Sequence, residues 1–182
     1  MRPIAVITDT DASLPLELAE KHKIRLVPII VNFGEESYQA VYEIDDHAVF
    51  ERINRDGRLP TTSAPAPGQF VEAYRQAFET GAESILCFTV SAEVSATYKA
   101  ALAAKEEFPG RDIEVVDTRQ LSISQGFMAL AAAEAIEAGA SKEEALARAR
   151  QAGANAHLYA ALPTLKYIAM SGRVSQVAAG IA

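Results

Sequence analysis

The sequence predicts an α/β fold: a mainly parallel sheet with helices on both faces over residues 1–156, followed by the beginning of a second α/β domain over residues 157–182. Three observations predict it. Short β-rich runs alternate with segments of helical periodicity, the pattern of strands joined by crossover helices. The runs Ser84–Val90 and Ile113–Val116 are nearly continuous in apolar residues, as strands covered on both faces are. The stretch Gln151-Ala-Gly-Ala-Asn-Ala-His157 is small and polar and reads as a linker.

Each element has its own signal. Ile4–Thr8 is the first strand. Asp9-Thr-Asp-Ala-Ser-Leu-Pro15 follows, with Ser13 as N-cap and Pro15 in the first turn of a helix that runs to a solvent-facing His22. Ile24–Phe33 reads as one buried strand kinked at Pro28, near a sheet edge. Gly34-Glu-Glu-Ser-Tyr38 is a turn. Asp45 or Asp46 caps a helix through Val49, Phe50 and Ile53 that ends near Gly57. Thr61, Thr62 and Ser63 then lie on a loop stiffened by Pro65 and Pro67. Phe70, Tyr74, Ala77 and Phe78 share one face of the next helix, which stops at Gly81. Strand Ser84–Val90, helix Ser95–Phe108 and strand Ile113–Val116 come next. A helix from Leu121 to Ala138 precedes another opened by the capping box Ser141-Lys-Glu-Glu144. A strand at Leu158–Leu162, a helix at Thr164–Met170 and a final apolar helix from Val174 complete the chain.

Composition narrows the function classes. With 17 basic and 24 acidic residues the net charge is −7, which argues against nucleic acid and anionic membranes as direct partners. The single cysteine, Cys87, sits in an apolar run and reads as a buried small hydrophobe. One cysteine forms no internal disulfide, which fits a reducing cytoplasm. No run reaches the ~18 apolar residues of a membrane span, and the N-terminus reads as a strand, not a signal peptide.

The polar loops carry the chemistry. Asp9–Ser13, Ser91–Ser95 and Asp117-Thr118 follow strands, and ligands of open α/β sheets collect at carboxyl strand ends. The hydroxyls of Thr61–Ser63 and of Ser91 and Ser95 suit an oxygen-rich ligand such as a carboxylate or phosphate. Taken alone, Ser95 reads first as an N-cap, with part of an anion seat at a helix N-terminus as the alternative. Asp9 and Asp11 lack a further acidic cluster with ligand spacing, so no metal is predicted. His22, His47 and His157 are scattered, and glycine-rich phosphate fingerprints are absent. Arg173 is the best cation candidate, set among apolar residues where its charge calls for a partner, and it reads equally as a surface arginine at a helix break. Two hydroxyl clusters without a base beside them suggest binding, not catalysis.

In order along the chain, Asp9–Pro15, Phe33–Tyr38, Thr62–Phe70, Ser91–Tyr98, Val116–Thr118 and Ser171–Ser175 together resemble the DegV family of bacterial fatty-acid-binding proteins. The resemblance implies no cofactor and two domains clasping a long-chain fatty acid, its carboxylate held by Thr62, Ser63 and Arg173, with Ser91, Ser95 or backbone N–H groups to compensate for a hydroxyl missing at Ala92. It also implies a carrier, not an enzyme, that presents the acid to a partner fatty-acid kinase for phospholipid metabolism. Ala92 stands where the family pattern has a second serine. Family members continue well past this point, so most of the C-terminal domain is expected to be missing, with self-association through the C-terminal helix. The competing readings are an acyl or phosphoryl transferase using a Ser or Thr hydroxyl, and a protein-interaction module.

Overall fold

The computed structural model describes residues 3–161. Its centre is a four-stranded parallel sheet, sheet A, in the order β2-β1-β6-β7, from β1 (Ile4–Asp9), β2 (Ile24–Val27), β6 (Ser84–Thr89) and β7 (Asp112–Asp117). β1 is central, pairing in parallel with β2 and with β6. The alternation of side chains along each strand divides the core in two. Val6, Leu86, Phe88 and Val116 face α5 (Ile123–Glu137) and α6 (Lys142–Asn155). Ile7, Ile85, Cys87 and Val115 face α3 (Pro67–Glu79) and α4 (Thr97–Lys105). Every residue of β6 is buried, as its unbroken apolar run predicts. Phe88, fully enclosed, contributes roughly 1.5–3 kcal/mol by leaving water.

The expected single strand Ile24–Phe33 is two strands in two sheets. Pro28 has no N–H to give to a ladder, and the next N–H, of Ile29, donates to Thr10 Oγ1 at 3.0 Å. The chain then leaves sheet A. β3 (Ile30–Phe33) pairs antiparallel with β4 (Glu36–Gln39) and with β5 (Thr61–Ser63), forming sheet B in the order β4-β3-β5. Gly34, at φ 65, makes the turn of the β3–β4 hairpin, so the predicted turn is half turn and half strand. Helix α2 (Asp46–Asp56) is capped by Asp45, whose carboxylate accepts from Ala48 N at 2.8 Å, and ends at Gly57. It is tied to sheet B by Arg52, whose guanidinium lies 4.4 Å from the Phe33 ring centre and 2.7 Å from Glu36.

Other expectations are corrected. Ser13 is not an N-cap. It adopts φ 50 and closes the 3-10 turn Thr10–Ala12, which Asp9 caps, while α1 (Leu16–Lys21) starts after Pro15. His22 is buried, not solvent-facing, because the end of α1 lies against the end of α5, and its Nδ1 is 3.1 Å from Glu137 Oε2. The capping box at Ser141 forms, with Glu144 Oε2 accepting from Ser141 N at 2.8 Å. Leu158–Ala161 form no strand. The expected elements beyond Ala161, and with them most of the predicted second domain, lie outside the described residues.

Two helical glycines mark close approaches. A Cβ on Gly126 would sit 2.5 Å from the Ala12 carbonyl oxygen, whereas one on Gly153 would meet the flexible Met128 Sδ at 2.6 Å. Backbone cannot yield as a methionine can. Gly126→Ala is therefore expected to lower the unfolding free energy by about 1–3 kcal/mol, and Gly153→Ala by less, in chemical denaturation.

Candidate functional site

The parallel topology brings three polar loops to the carboxyl end of sheet A, and carboxylates tie them together. Asp9 ends β1 and is fully buried. Its Oδ1 accepts from Asp11 N at 3.0 Å and its Oδ2 from Val90 N at 2.9 Å, joining the β1 loop to the β6 loop. Asp11 Oδ2 accepts from Ser122 N at 3.1 Å, which reaches the head of α5. Asp117 Oδ1 accepts from Ala92 N and Arg119 N, each at 3.0 Å, fixing the Ser91 loop to the end of β7. Thr118 Oγ1 donates to Thr89 O at 2.7 Å and closes the same seam. Asp9 and Asp11, weighed from the sequence as metal ligands, are thus engaged with backbone N–H groups.

The hydroxyls sit on this frame and beside it. Ser91 is buried, and its Oγ accepts from Glu93 N at 3.3 Å, so its proton is free for a ligand oxygen. Ser95 accepts from Thr97 N at 3.3 Å and pairs with Thr97 Oγ1 at 2.8 Å. It therefore braces the entry to α4, although the formal N-cap is Ala96. Thr62 and Ser63 lie on β5, not on a loop, because residues 61–63 find a backbone partner in β3. Strand alternation puts them on opposite faces of sheet B. Ser63 Oγ accepts from Asn32 Nδ2 at 3.0 Å, while the exposed Thr62 hydroxyl has no hydrogen-bond partner among the described residues. No hydrogen bond joins the β5 hydroxyls to Ser91 or Ser95 among these residues, and Arg173 lies outside them.

His22 is paired with Glu137, and His47 is 3.7 Å from Glu51 on exposed α2. Burial pushes the Cys87 thiol up to about 12, which keeps it protonated and poorly nucleophilic.

The model of the DegV family matches residues 3–182. The chain belongs to the DegV family. It is 38% identical over 173 residues to a DegV domain-containing protein of Streptomyces coelicolor, covering 95% of this chain and 61% of that one. A solved DegV structure from Bacillus subtilis, described as a fatty acid binding protein, superposes with a TM-score of 0.92 at 31% identity, covering 100% of this chain and 64% of that one. One from Thermus thermophilus, described by its fatty acid binding, gives 0.87 at 35% identity, with 97% and 63% covered. The chain thus spans about three fifths of the length of these relatives. The family, the α/β class and the parallel sheet expected from the sequence all agree with these DegV proteins.

Sequence reading did not assign Asp9, Asp117 and Thr118 their role as loop ties. A usable signal was present, since each follows a buried strand where a short acceptor meets free N–H groups of the neighbouring loop. Asp9 pays for its position. Burial, above all, raises its pKa from 3.8 to about 6. The raised folded value means that its contribution to stability is fully present below pH 3.8 and lost as pH rises to about 6. At ~1.4 kcal/mol per unit, wild type should lose about 3 kcal/mol across that window. Asp9→Asn, compared in denaturant titrations at each pH, should lack this component.

Proposed function

We propose that this protein binds a long-chain fatty acid, holding its carboxylate by Thr62, Ser63, Ser91, Ser95 and Arg173, and that it acts as a cytoplasmic carrier presenting the acid to a kinase. The observation that carries the reading is membership of a family whose solved members, aligned over 97% or more of this chain, include fatty acid binding proteins. The local chemistry supports it. Ser91 and Thr62 have O–H donors to spare, and the loop of Ser91 and Ser95 is braced by Asp117. Each buried CH₂ of an acyl tail adds about 0.8 kcal/mol, so the tail supplies affinity and the hydroxyls supply orientation.

The hydroxyls are not equivalent. Ser63 already accepts from Asn32, whereas the Thr62 hydroxyl has no partner among the described residues. Thr62→Val is expected to weaken binding of a long-chain acid by about 1–3 kcal/mol, and Ser63→Ala by less. The corresponding fatty alcohol should be little affected. Equal losses for acid and alcohol would remove Thr62 from the carboxylate site. Arg173→Ala should cost more than any single hydroxyl, because a charge-assisted hydrogen bond is roughly twice as strong as a neutral one. Unchanged affinity in a fluorescent fatty-acid titration would exclude Arg173.

A further inference from the structure

The sheet B lobe, residues 29–63, is a unit of its own. Its strands pair with one another, and α2 buries none of its residues. Arg52 closes the lobe internally, stacking on Phe33 and bridging to Glu36 and Asp56. The chain enters at Pro28 and leaves through Ala64-Pro65-Ala66-Pro67, two crossings where proline restricts the backbone. Among the described residues, two hydrogen bonds join this lobe to the rest of the molecule. One is Ile29 N to Thr10 Oγ1 at 3.0 Å, at the crossing itself. The other is Tyr42 Oη to Leu26 O at 3.2 Å, far along the lobe in sequence.

The loop that carries Tyr42 is built at a cost. Val41 has φ 76, a left-handed conformation that is a genuine outlier for a β-branched residue. The loop is nonetheless tightly bonded: Val41 N donates to Ile44 O at 2.9 Å, Glu43 N to Gln39 O at 2.9 Å, and Gln39 N to Glu43 Oε2 at 2.6 Å. Strain of this kind persists only where surrounding contacts enforce it, and such residues gather at ligand clamps and switches. Here it delivers one phenol to the edge strand of sheet A.

We propose that Tyr42 is a positioning residue: its hydroxyl latches the sheet B lobe, which carries Thr62, to the edge of sheet A, whose loops carry Ser91 and Ser95. The proposal rests on the fatty-acid reading of those hydroxyls. The two halves of the carboxylate site stand on separate lobes, so their spacing depends on what holds the lobes together. With the latch closed, a carboxylate meets donors from both. With it open, the lobe swings on its proline crossings and Thr62 leaves.

The test uses the full chain, with cis-parinaric acid, a fluorescent polyene fatty acid, as probe. Tyr42→Phe keeps the ring and removes only the latch. It should raise the Kd roughly three- to tenfold, the worth of one hydrogen bond. In a Thr62→Val background the same change should raise it less than about twofold, because residues acting through one contact are not additive. Hydrogen exchange of the ligand-free protein supplies an independent readout: amides of β3 and β4 should exchange faster as a group in Tyr42→Phe, with β1 and β6 unchanged. Additive losses in the double variant, or unchanged exchange in the lobe, would overturn the latch. If the wild type fails to bind the probe, the fatty-acid reading fails, and the exchange comparison alone decides whether Tyr42 latches the lobe.

Discussion

A buried carboxylate organises the end of the molecule that matters. Asp9 is fully enclosed at the tip of the central strand, where an ionised group is expensive unless it is hydrogen-bonded. Among the described residues it is answered by backbone N–H groups of Asp11 and Val90, not by a cation. The same arrangement makes it a tie. One side chain fixes the loop after β1 to the loop after β6, and Asp11 and Asp117 extend the tie to α5 and β7. Loops that would otherwise be mobile thereby become a frame, and Ser91 and Ser95 inherit its rigidity.

The parts of the fold legible in the sequence were those fixed by local chemistry. The apolar run of β6 announced a strand covered on both faces, and the capping box at Ser141 announced the start of α6. The face of Phe70, Tyr74 and Ala77 was read correctly because helical spacing leaves little choice. The failures came where a distant partner decides. Thr61–Ser63 look like a proline-bounded loop until β3 is present to pair with them. Ile24–Phe33 look continuous until Pro28 sends the chain into another sheet. His22 looks like a terminal surface residue until Glu137, 115 positions along, comes alongside.

The candidate site was legible as residue types and less so as geometry. The clusters at Thr62-Ser63 and Ser91–Ser95 stood out because several hydroxyls on short segments invite an oxygen-rich ligand. Their division of labour did not. Pairing with β3 splits Thr62 from Ser63, hydrogen bonding commits Ser95 to the entry of α4, and Ser91 keeps a free proton. Pro28 reads as a kink in one strand and Pro65 and Pro67 as stiffeners of one loop, yet in space they bound one lobe. Spatial adjacency of residues far apart in the chain is what pattern and propensity cannot supply.

The central claim is that this DegV chain carries a fatty acid. Native mass spectrometry of the purified protein tests it most directly. The account predicts an added mass in the long-chain fatty-acid range, one per chain, that disappears on delipidation and returns when the acid is supplied. A chain that stays ligand-free after incubation with long-chain acids would contradict it.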